Sequence, residues 1–154
     1  MRNLILLVIF STVSLFTLAD DKGFTHYKKG EYSKALKIWT VEADNGETNA
    51  IYNIGLLYFF GNGVNKDLSI AYNFCKKAAF KGLARAQNNL AYMYLHGMGT
   101  NKDYVNSYAW SLIAIKHGYN SQGIKDNAKM HLTPAMLTYA ERLAYKMIKE
   151  IKNE

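Results

Sequence analysis

A repeat with a period of 36 residues constrains the fold of this chain more than any other feature. When residues 50–82 are aligned with residues 86–118, eleven of 33 positions are identical. The identities include three glycines and the run Asn65-Lys66-Asp67, which recurs as Asn101-Lys102-Asp103. A fixed period of this length is typical of a solenoid, in which each unit buries its apolar face against the next unit.

Each full unit is predicted to form two helices, because apolar residues recur in it at helical spacing on both sides of a glycine turn. In the first unit the turn is Gly61-Asn62-Gly63, where glycine supplies the left-handed conformations that end a helix. Asp67 stands where a helix N-cap belongs, and Gly82 ends the second helix. The second unit repeats these features at Gly97-Met98-Gly99, Asp103 and Gly118.

The flanking segments depart from this period. A first unit spans residues 20–49 and follows the same logic, but the turn between its helices, around Gly30, is five residues shorter. The full units span residues 50–85 and 86–120. Residues 121–154 are predicted to form a short helix and then an amphipathic capping helix that starts at Thr133-Pro134, because threonine is a good N-cap and proline suits the first helical position.

The first nineteen residues have the order of a secretory signal peptide. Arg2 precedes the apolar run of residues 4–10, and Thr17-Leu18-Ala19 places small residues before Asp20. We therefore expect export to the periplasm or the medium of a bacterium, with no transmembrane segment after signal removal. The alternative is an uncleaved N-terminal anchor, although the uncharged run of 17 residues is marginal for spanning a membrane.

Composition and motifs argue against several function classes. Cys75 is the single cysteine, so neither an internal disulfide nor a cysteine-based metal centre can form, and we expect a buried, unreactive thiol. The four histidines show no metal-ligand spacing, and catalytic or phosphate-binding motifs are absent. Without residues 1–19 the net charge is +6, but the lysines are dispersed and export argues against nucleic acid. We predict no cofactor, no metal site and no catalytic residue.

The residues from Ala50 to Gly82, with their Asn53-Ile54-Gly55, Gly61-x-Gly63 and Lys77-Ala78-Ala79 elements, resemble the Sel-one-like repeat (SLR), a relative of the tetratricopeptide repeat. The segment from Ala86 to Gly118 repeats the match, and the resemblance extends over about residues 20–154. It implies an all-α fold, a right-handed α-α solenoid of about three helix pairs with a C-terminal capping helix. Bacterial members of this family are often exported and act as scaffolds. One subset with paired cysteines is linked to penicillin-like compounds, and those cysteines are absent here.

In this family the first helix of each unit lines the concave face. The resemblance therefore implies a partner-binding surface on these helices, and Arg and Lys there would suit a carboxylate, while Asn would suit a peptide backbone. We predict that this surface consists of Asn49, Tyr52, Phe59, Arg85, Asn88, Tyr92 and His96. Leu56 and Leu95 are further inward positions, Phe60 lies at the rim, and Lys28 and Lys29 come from the first unit. The alternative is that Tyr52 and Phe59 only pack against neighbouring helices.

The leading hypothesis is an exported, non-enzymatic adaptor, expected to be monomeric, that binds a protein or peptide segment on the concave face. The excess of positive charge is compatible with an anionic envelope component as partner. The alternative hypothesis is a cell-envelope protein that binds or hydrolyses peptidoglycan or muropeptides. That hypothesis lacks a convergent acid–base or nucleophile signature in the sequence.

Overall fold

A computed structural model describes residues 22–151 of the chain, and these residues form eight α-helices without a strand. The predicted signal peptide, residues 1–19, lies outside the described residues. The helices are α1 (Lys22–Lys28), α2 (Tyr32–Asp44), α3 (Thr48–Phe60), α4 (Leu68–Phe80), α5 (Ala84–His96), α6 (Tyr104–Lys116), α7 (Gln122–Lys129) and α8 (Pro134–Ile151). Among the described residues no helix is both long and apolar enough to cross a membrane.

The helices of the two full units begin and end at the residues that the repeat singles out. Gly61 and Gly97 follow α3 and α5 with φ angles of 75° and 71°, a left-handed conformation that glycine adopts without strain. The Asp67 side chain accepts hydrogen bonds from the backbone N–H groups of Ser69 and Ile70, which satisfies two donors at the start of α4. Asp103 caps α6 in the same way. The helix pairs predicted for both units are therefore present.

Each helix from α1 to α6 packs on the next helix in the chain, which produces an α-α solenoid and confirms the predicted fold class. Beyond the second full unit, α7 and α8 each pack on α6. The end of α8 reaches back across the molecule to the turn after α4, where Ile151 lies close to Gly82. The apolar side of α8 is buried through Ala140, Ala144 and Met147, so α8 covers the end of the solenoid.

The core combines small residues at helix contacts with aromatic residues that fill the space between helices. Ala78, Ala86 and Ala114 have no exposed surface, which lets the helix backbones approach closely. The aromatic rings of Tyr58 and Phe74 stack with their centroids 6.2 Å apart, and Trp110 packs edge-on against Phe80 at 5.0 Å. Tyr58 occupies the repeat position 58/94, and Phe74 and Trp110 occupy the repeat position 74/110. Some of the chain's 12 tyrosines therefore serve the core.

The second glycine of each turn also makes the contact between successive units. A Cβ atom added to Gly63 would lie 2.5 Å from Tyr32 Cβ, at the start of α2, and one added to Gly99 would overlap the carbonyl oxygen of Leu68, at the start of α4. Only a residue without a side chain fits between one unit's turn and the preceding unit's second helix. The repeat therefore keeps glycine at 63 and 99 for close packing as well as for chain reversal.

Candidate functional site: a groove between α3 and α5

A groove of about 310 Å³ lies between the first helices of the two full units. Its walls come from α3 and α5 and its floor from α4. Most of the lining atoms are apolar. The lining residues are Tyr52, Gly55, Leu56, Phe59, Phe60, Ala71, Cys75, Asn88, Asn89, Tyr92 and Met93.

The floor of the groove depends on small residues where α3 crosses α4. A Cβ atom on Gly55 would come within 3.0 Å of Phe74 Cβ and 3.4 Å of the Ala71 carbonyl oxygen, so glycine allows the two helices to touch. Cys75 lies beside them, is 5% exposed and donates its S–H group to the Ala86 carbonyl oxygen at 3.3 Å. Burial raises the pKa of the Cys75 thiol to about 12, so the thiol stays protonated and is not a nucleophile at neutral pH.

One wall of the groove is fixed by a hydrogen bond between the two repeats. Asn89 Nδ2 donates to the Tyr52 hydroxyl at 2.6 Å, which joins α5 to α3. Tyr52 is 8% exposed, and burial raises its pKa to about 12. Tyr52 is therefore both a core residue and part of the groove wall. Packing against neighbouring helices and a place on the predicted concave surface are thus compatible for this residue.

A second link between the repeats lies beside the groove, at the end where α3 and α5 begin. Arg85 Nη2 donates to Asn49 Oδ1 at 2.7 Å, and the guanidinium carbon lies 4.9 Å from the centre of the Tyr52 ring. The hydrogen bond and the cation–π contact hold the arginine against Tyr52, which forms part of the groove wall. Arg85 and Asn49 occupy equivalent positions of successive units, so this link follows directly from the 36-residue period.

The opposite end of the groove is aromatic and open to solvent. Phe59 and Phe60 pack edge-on with centroids 5.1 Å apart, and the Tyr92 ring lies 4.3 Å from the His96 ring. Phe60 and Tyr92 are 58% and 40% exposed. Large apolar side chains exposed beside an apolar cavity are a feature of binding surfaces on soluble proteins.

The seven residues predicted for the concave face all lie in or beside this groove. Four of them line it, namely Tyr52, Phe59, Asn88 and Tyr92. Asn49 and Arg85 lie next to Tyr52 at one end, and His96 contacts Tyr92 at the other end.

Three of the further positions lie outside this groove. Leu95 is 5% exposed and belongs to the core. Lys28, the last residue of α1, and Lys29 after it do not line the groove between α3 and α5. The floor of the groove and parts of its walls were not predicted from the sequence, because only one face of the first helix of each unit was considered. The missed lining residues are Gly55, Ala71, Cys75, Asn89 and Met93.

Several titratable side chains elsewhere in the described residues have structural partners. His26 and Lys34 hydrogen-bond to Glu31, and these bonds, that of His26 first, lower the pKa of Glu31 to about 2. His117 Nδ1 lies 2.8 Å from Gln87 Oε1, and the His131 ring stacks on Tyr104. Between residues 22 and 151, no three side chains of the metal-ligating types are grouped as a metal site would need.

The fold defines a class, that of helical-repeat proteins, and the groove lies along the first helices of two successive units. The Sel1 repeat family model matches residues 48–82 and 84–119. The two full units of the chain are therefore Sel1 repeats. Sel1 repeats generally mediate protein–protein interaction, and proteins built from them are typically non-catalytic adaptors.

Two solved structures and one sequence relative are similar to this chain. The crystal structure of a protective antigen present in uropathogenic Escherichia coli strains, which displays an SLR fold, aligns with a TM-score of 0.79 and 29% identity over 86% of this chain and 31% of that chain. A Sel1 repeat protein from Oxalobacter formigenes aligns with a TM-score of 0.55 and 26% identity over 68% of this chain and 48% of that one.

The sequence relative is HRD3A from Arabidopsis thaliana, a component of an ERAD-associated E3 ubiquitin-protein ligase. It is 35% identical over 68 residues, which are 44% of this chain and 10% of the relative. This chain thus spans about a tenth of the length of that relative and about a third of the E. coli protein.

Proposed function

We propose that this chain is an exported, non-enzymatic adaptor that binds a protein or peptide segment in the groove between α3 and α5. The observation that supports this most directly is the exposed aromatic end of the groove. Phe60 and Tyr92 keep 58% and 40% of their surface exposed, although the cavity beside them is apolar. Burying such side chains against a partner would contribute about 25 cal/mol for each Å² of apolar surface.

A polypeptide suits the groove because polar groups stand along its edge. Asn88 lies between the aromatic end and Arg85, and its side-chain amide makes only a long hydrogen bond, of 3.5 Å, to Asn89. A side-chain amide can both donate to and accept from a peptide backbone. An extended peptide segment could place one apolar side chain in the cavity and form backbone hydrogen bonds with the side-chain amide at its edge.

Export is supported by the order of residues 1–19 and by the position of the first described helix, which starts at Lys22, soon after the predicted cleavage site. We expect amino-terminal sequencing of the exported chain to begin at Asp20. A chain that retains Met1 in the membrane fraction would favour the anchored alternative instead.

Selection from a library of displayed random peptides tests the proposed binding surface. We expect peptides selected on the native chain to lose at least about tenfold in affinity for Phe60→Ala/Tyr92→Ala, since aromatic anchors contribute about 2 kcal/mol or more each. Tyr139→Ala/Tyr145→Ala is the matched control, because Tyr139 and Tyr145 are exposed aromatic residues on α8, outside the groove.

All these variants should keep the circular dichroism spectrum and the melting temperature of the native chain, because the altered side chains are exposed. If the selected peptides bind the groove variant and the control variant equally well, the groove is not the binding surface. If a chain purified to homogeneity degrades peptidoglycan fragments, the non-enzymatic assignment fails.

A further inference from the structure

The two ends of the groove differ in chemistry, and this difference gives the groove a direction. Arg85 lies at the end where α3 and α5 begin, stacked on Tyr52 and bonded to Asn49. Phe60 and Tyr92 form the opposite, aromatic end. A ligand that uses both ends must therefore have an apolar group at one end and a negatively charged hydrogen-bond acceptor at the other.

The charge of Arg85 is not neutralised by the fold. A guanidinium has five N–H donors, and one of those of Arg85 bonds to Asn49. None of the ion pairs among residues 22–151 includes Arg85. Residues 48–119 contain seven Lys and Arg but only two acids, Asp67 and Asp103, and both acids cap helices. Arg85 can therefore form a charge-assisted hydrogen bond with a carboxylate of the ligand.

The link between Arg85 and Asn49 also limits how a polypeptide can lie in the groove. It joins the start of α5 to the start of α3 with a hydrogen bond of 2.7 Å. A chain that continued between the two helices past this point would have to pass over that bond or break it. A chain that ends there would not, and its terminal carboxylate would meet the remaining donors of the guanidinium.

We propose that the groove receives the C-terminal residue of a partner protein, with the α-carboxylate on Arg85 and an apolar side chain in the cavity over Leu56 and Met93. This inference rests on the proposed function and specifies its ligand. The α-carboxylate and the side chain of a terminal residue share one Cα atom, so they must bind close together. Arg85 meets this requirement, because its guanidinium contacts the ring of Tyr52, which is itself a wall of the cavity.

Two peptide libraries of equal length test this inference. One displays random decapeptides with a free C-terminus, and the other holds the same random segment between constant flanking sequences. We expect the free-end library to yield binders that end in an apolar residue and lose affinity on Phe60→Ala/Tyr92→Ala. We expect the embedded library to yield none, or only binders that are at least about tenfold weaker, because hydrogen bonds to charged groups contribute about 1.5–3 kcal/mol.

A second measurement identifies the carboxylate partner. The best free-end peptide and its C-terminal amide are compared by fluorescence polarisation on three chains. On the native chain the amide should bind about tenfold or more weakly than the acid. Arg85→Gln keeps a donor for Asn49 but removes the charge, so acid and amide should then bind within about twofold of each other. Arg142→Gln, which removes an exposed arginine from α8, should behave as the native chain does.

The outcomes separate this inference from the proposed function. Groove-dependent binders that come equally from the embedded library, or that bind equally well as amides, would overturn the C-terminal assignment and leave the groove as the binding surface. An acidic side chain as the real partner of Arg85 would show as embedded binders rich in Asp or Glu that fail on Arg85→Gln. If neither library yields a groove-dependent binder, the proposed function itself fails.

Discussion

Gly99 shows how a single residue position can serve two structural requirements in a repeat. Its φ angle of 71° favours glycine, and any Cβ atom would also overlap the backbone of Leu68 in the preceding unit. Gly118 has a similar φ angle of 84°, but no atom lies within 4 Å of the place where its Cβ would be. The two positions therefore separate the cost of the backbone conformation from the cost of lost packing between units.

We predict that Gly99→Ala lowers the free energy of unfolding by about 1–3 kcal/mol more than Gly118→Ala does. Both substitutions incur the left-handed strain of about 1 kcal/mol, and only Gly99→Ala also forces the second unit away from the first. Urea denaturation followed by circular dichroism measures both values. Equal losses for the two variants would mean that the turn does not pack on α4 as described.

The buried thiol of Cys75 makes stability depend on pH in the alkaline range. Burial raises the pKa of the folded thiol from its ordinary value of 9.0 to about 12, so the unfolded chain loses this proton first as the pH rises. Its contribution to stability is complete below pH 9 and decreases by about 1.4 kcal/mol per pH unit above that value, until the folded thiol also ionises. Burial raises the pKa of Tyr52 to about 12 and raises those of Tyr94 and Tyr108, which adds a loss in the same direction above pH 10.

Cys75→Ser isolates the thiol, because serine preserves the shape of the side chain and does not ionise in this range. Between pH 8 and pH 10.5 the native chain should lose about 1–2 kcal/mol more unfolding free energy than Cys75→Ser. Urea denaturation at a series of pH values gives the two curves. Parallel curves would show that the thiol is accessible to water in the folded chain.

At the residue scale, the positions predicted for the concave face lie around one groove, although not every lining residue of this groove was predicted. Equivalent positions of the repeat brought Asn49 next to Arg85, so a contact between repeats was implicit in the period. Asn89 could not be found in the same way, because its importance comes from a hydrogen bond to Tyr52, a residue at a different repeat position. Leu95 was expected on the inward face and instead packs in the core, which depends on contacts with residues outside its own helix.

At the scale of the helix, α1 is held against α2 by a close contact that could not be predicted from its sequence. Gly23 lies directly against the indole of Trp39, and a Cβ atom there would come within 2.5 Å of Trp39 Cδ1. Tyr27 adds ring contacts to Trp39 at 5.8 Å and to Tyr32 at 5.3 Å. With seven residues, α1 is too short to be stable alone and depends on this packing against α2.

We predict that Gly23→Ala releases α1 from α2 and leaves the rest of the solenoid folded. Overpacking of this kind costs about 1–3 kcal/mol, so trypsin should cleave after Lys28 and Lys29 about tenfold faster than in the native chain. Gly123→Ala is the matched control, because Gly123 lies in the short helix α7 with nothing within 4 Å of its Cβ position. The control should be neutral or slightly more stable.

If Gly23→Ala leaves the cleavage rate at these two lysines unchanged, α1 does not pack on Trp39 through Gly23. If cleavage accelerates along the whole chain, the contact stabilises more than α1 alone. Mass spectrometry of the early fragments distinguishes these results from the predicted one.

At the same scale, the helix boundaries of the two full units could be predicted because local signals and the repeat agree. Asp67 and Asp103 cap their helices through their own side chains, and Gly61 and Gly97 end the preceding ones. The placement of α8 could not be predicted. Its amphipathic pattern indicated a helix with one buried face, but its contact with α6 and its approach to Gly82 come from tertiary packing.

At the scale of the whole molecule, the stacking of units creates the groove that we propose as the binding surface. Neither full unit contains the groove, since α3 and α4 belong to one unit and α5 to the next. The two hydrogen bonds that join α3 to α5 fix its width. The positive charge of residues 48–119 includes that of Arg85, which lies beside the groove at the end where α3 and α5 begin. The sequence alone showed the excess of charge but not where it would meet an apolar cavity.

Methionine methyl groups provide the most direct test of the claim that this groove is the binding surface. Met93 lines the groove, whereas Met130 and Met136 are exposed on other parts of the molecule and Met147 is buried on the inner face of α8. A chain labelled with ¹³C at its methionine methyls is titrated with the best selected peptide and followed by NMR. We expect the Met93 resonance to shift and saturate while those of Met130, Met136 and Met147 stay in place. A saturating shift at Met130 or Met136 with Met93 unchanged would contradict binding in this groove.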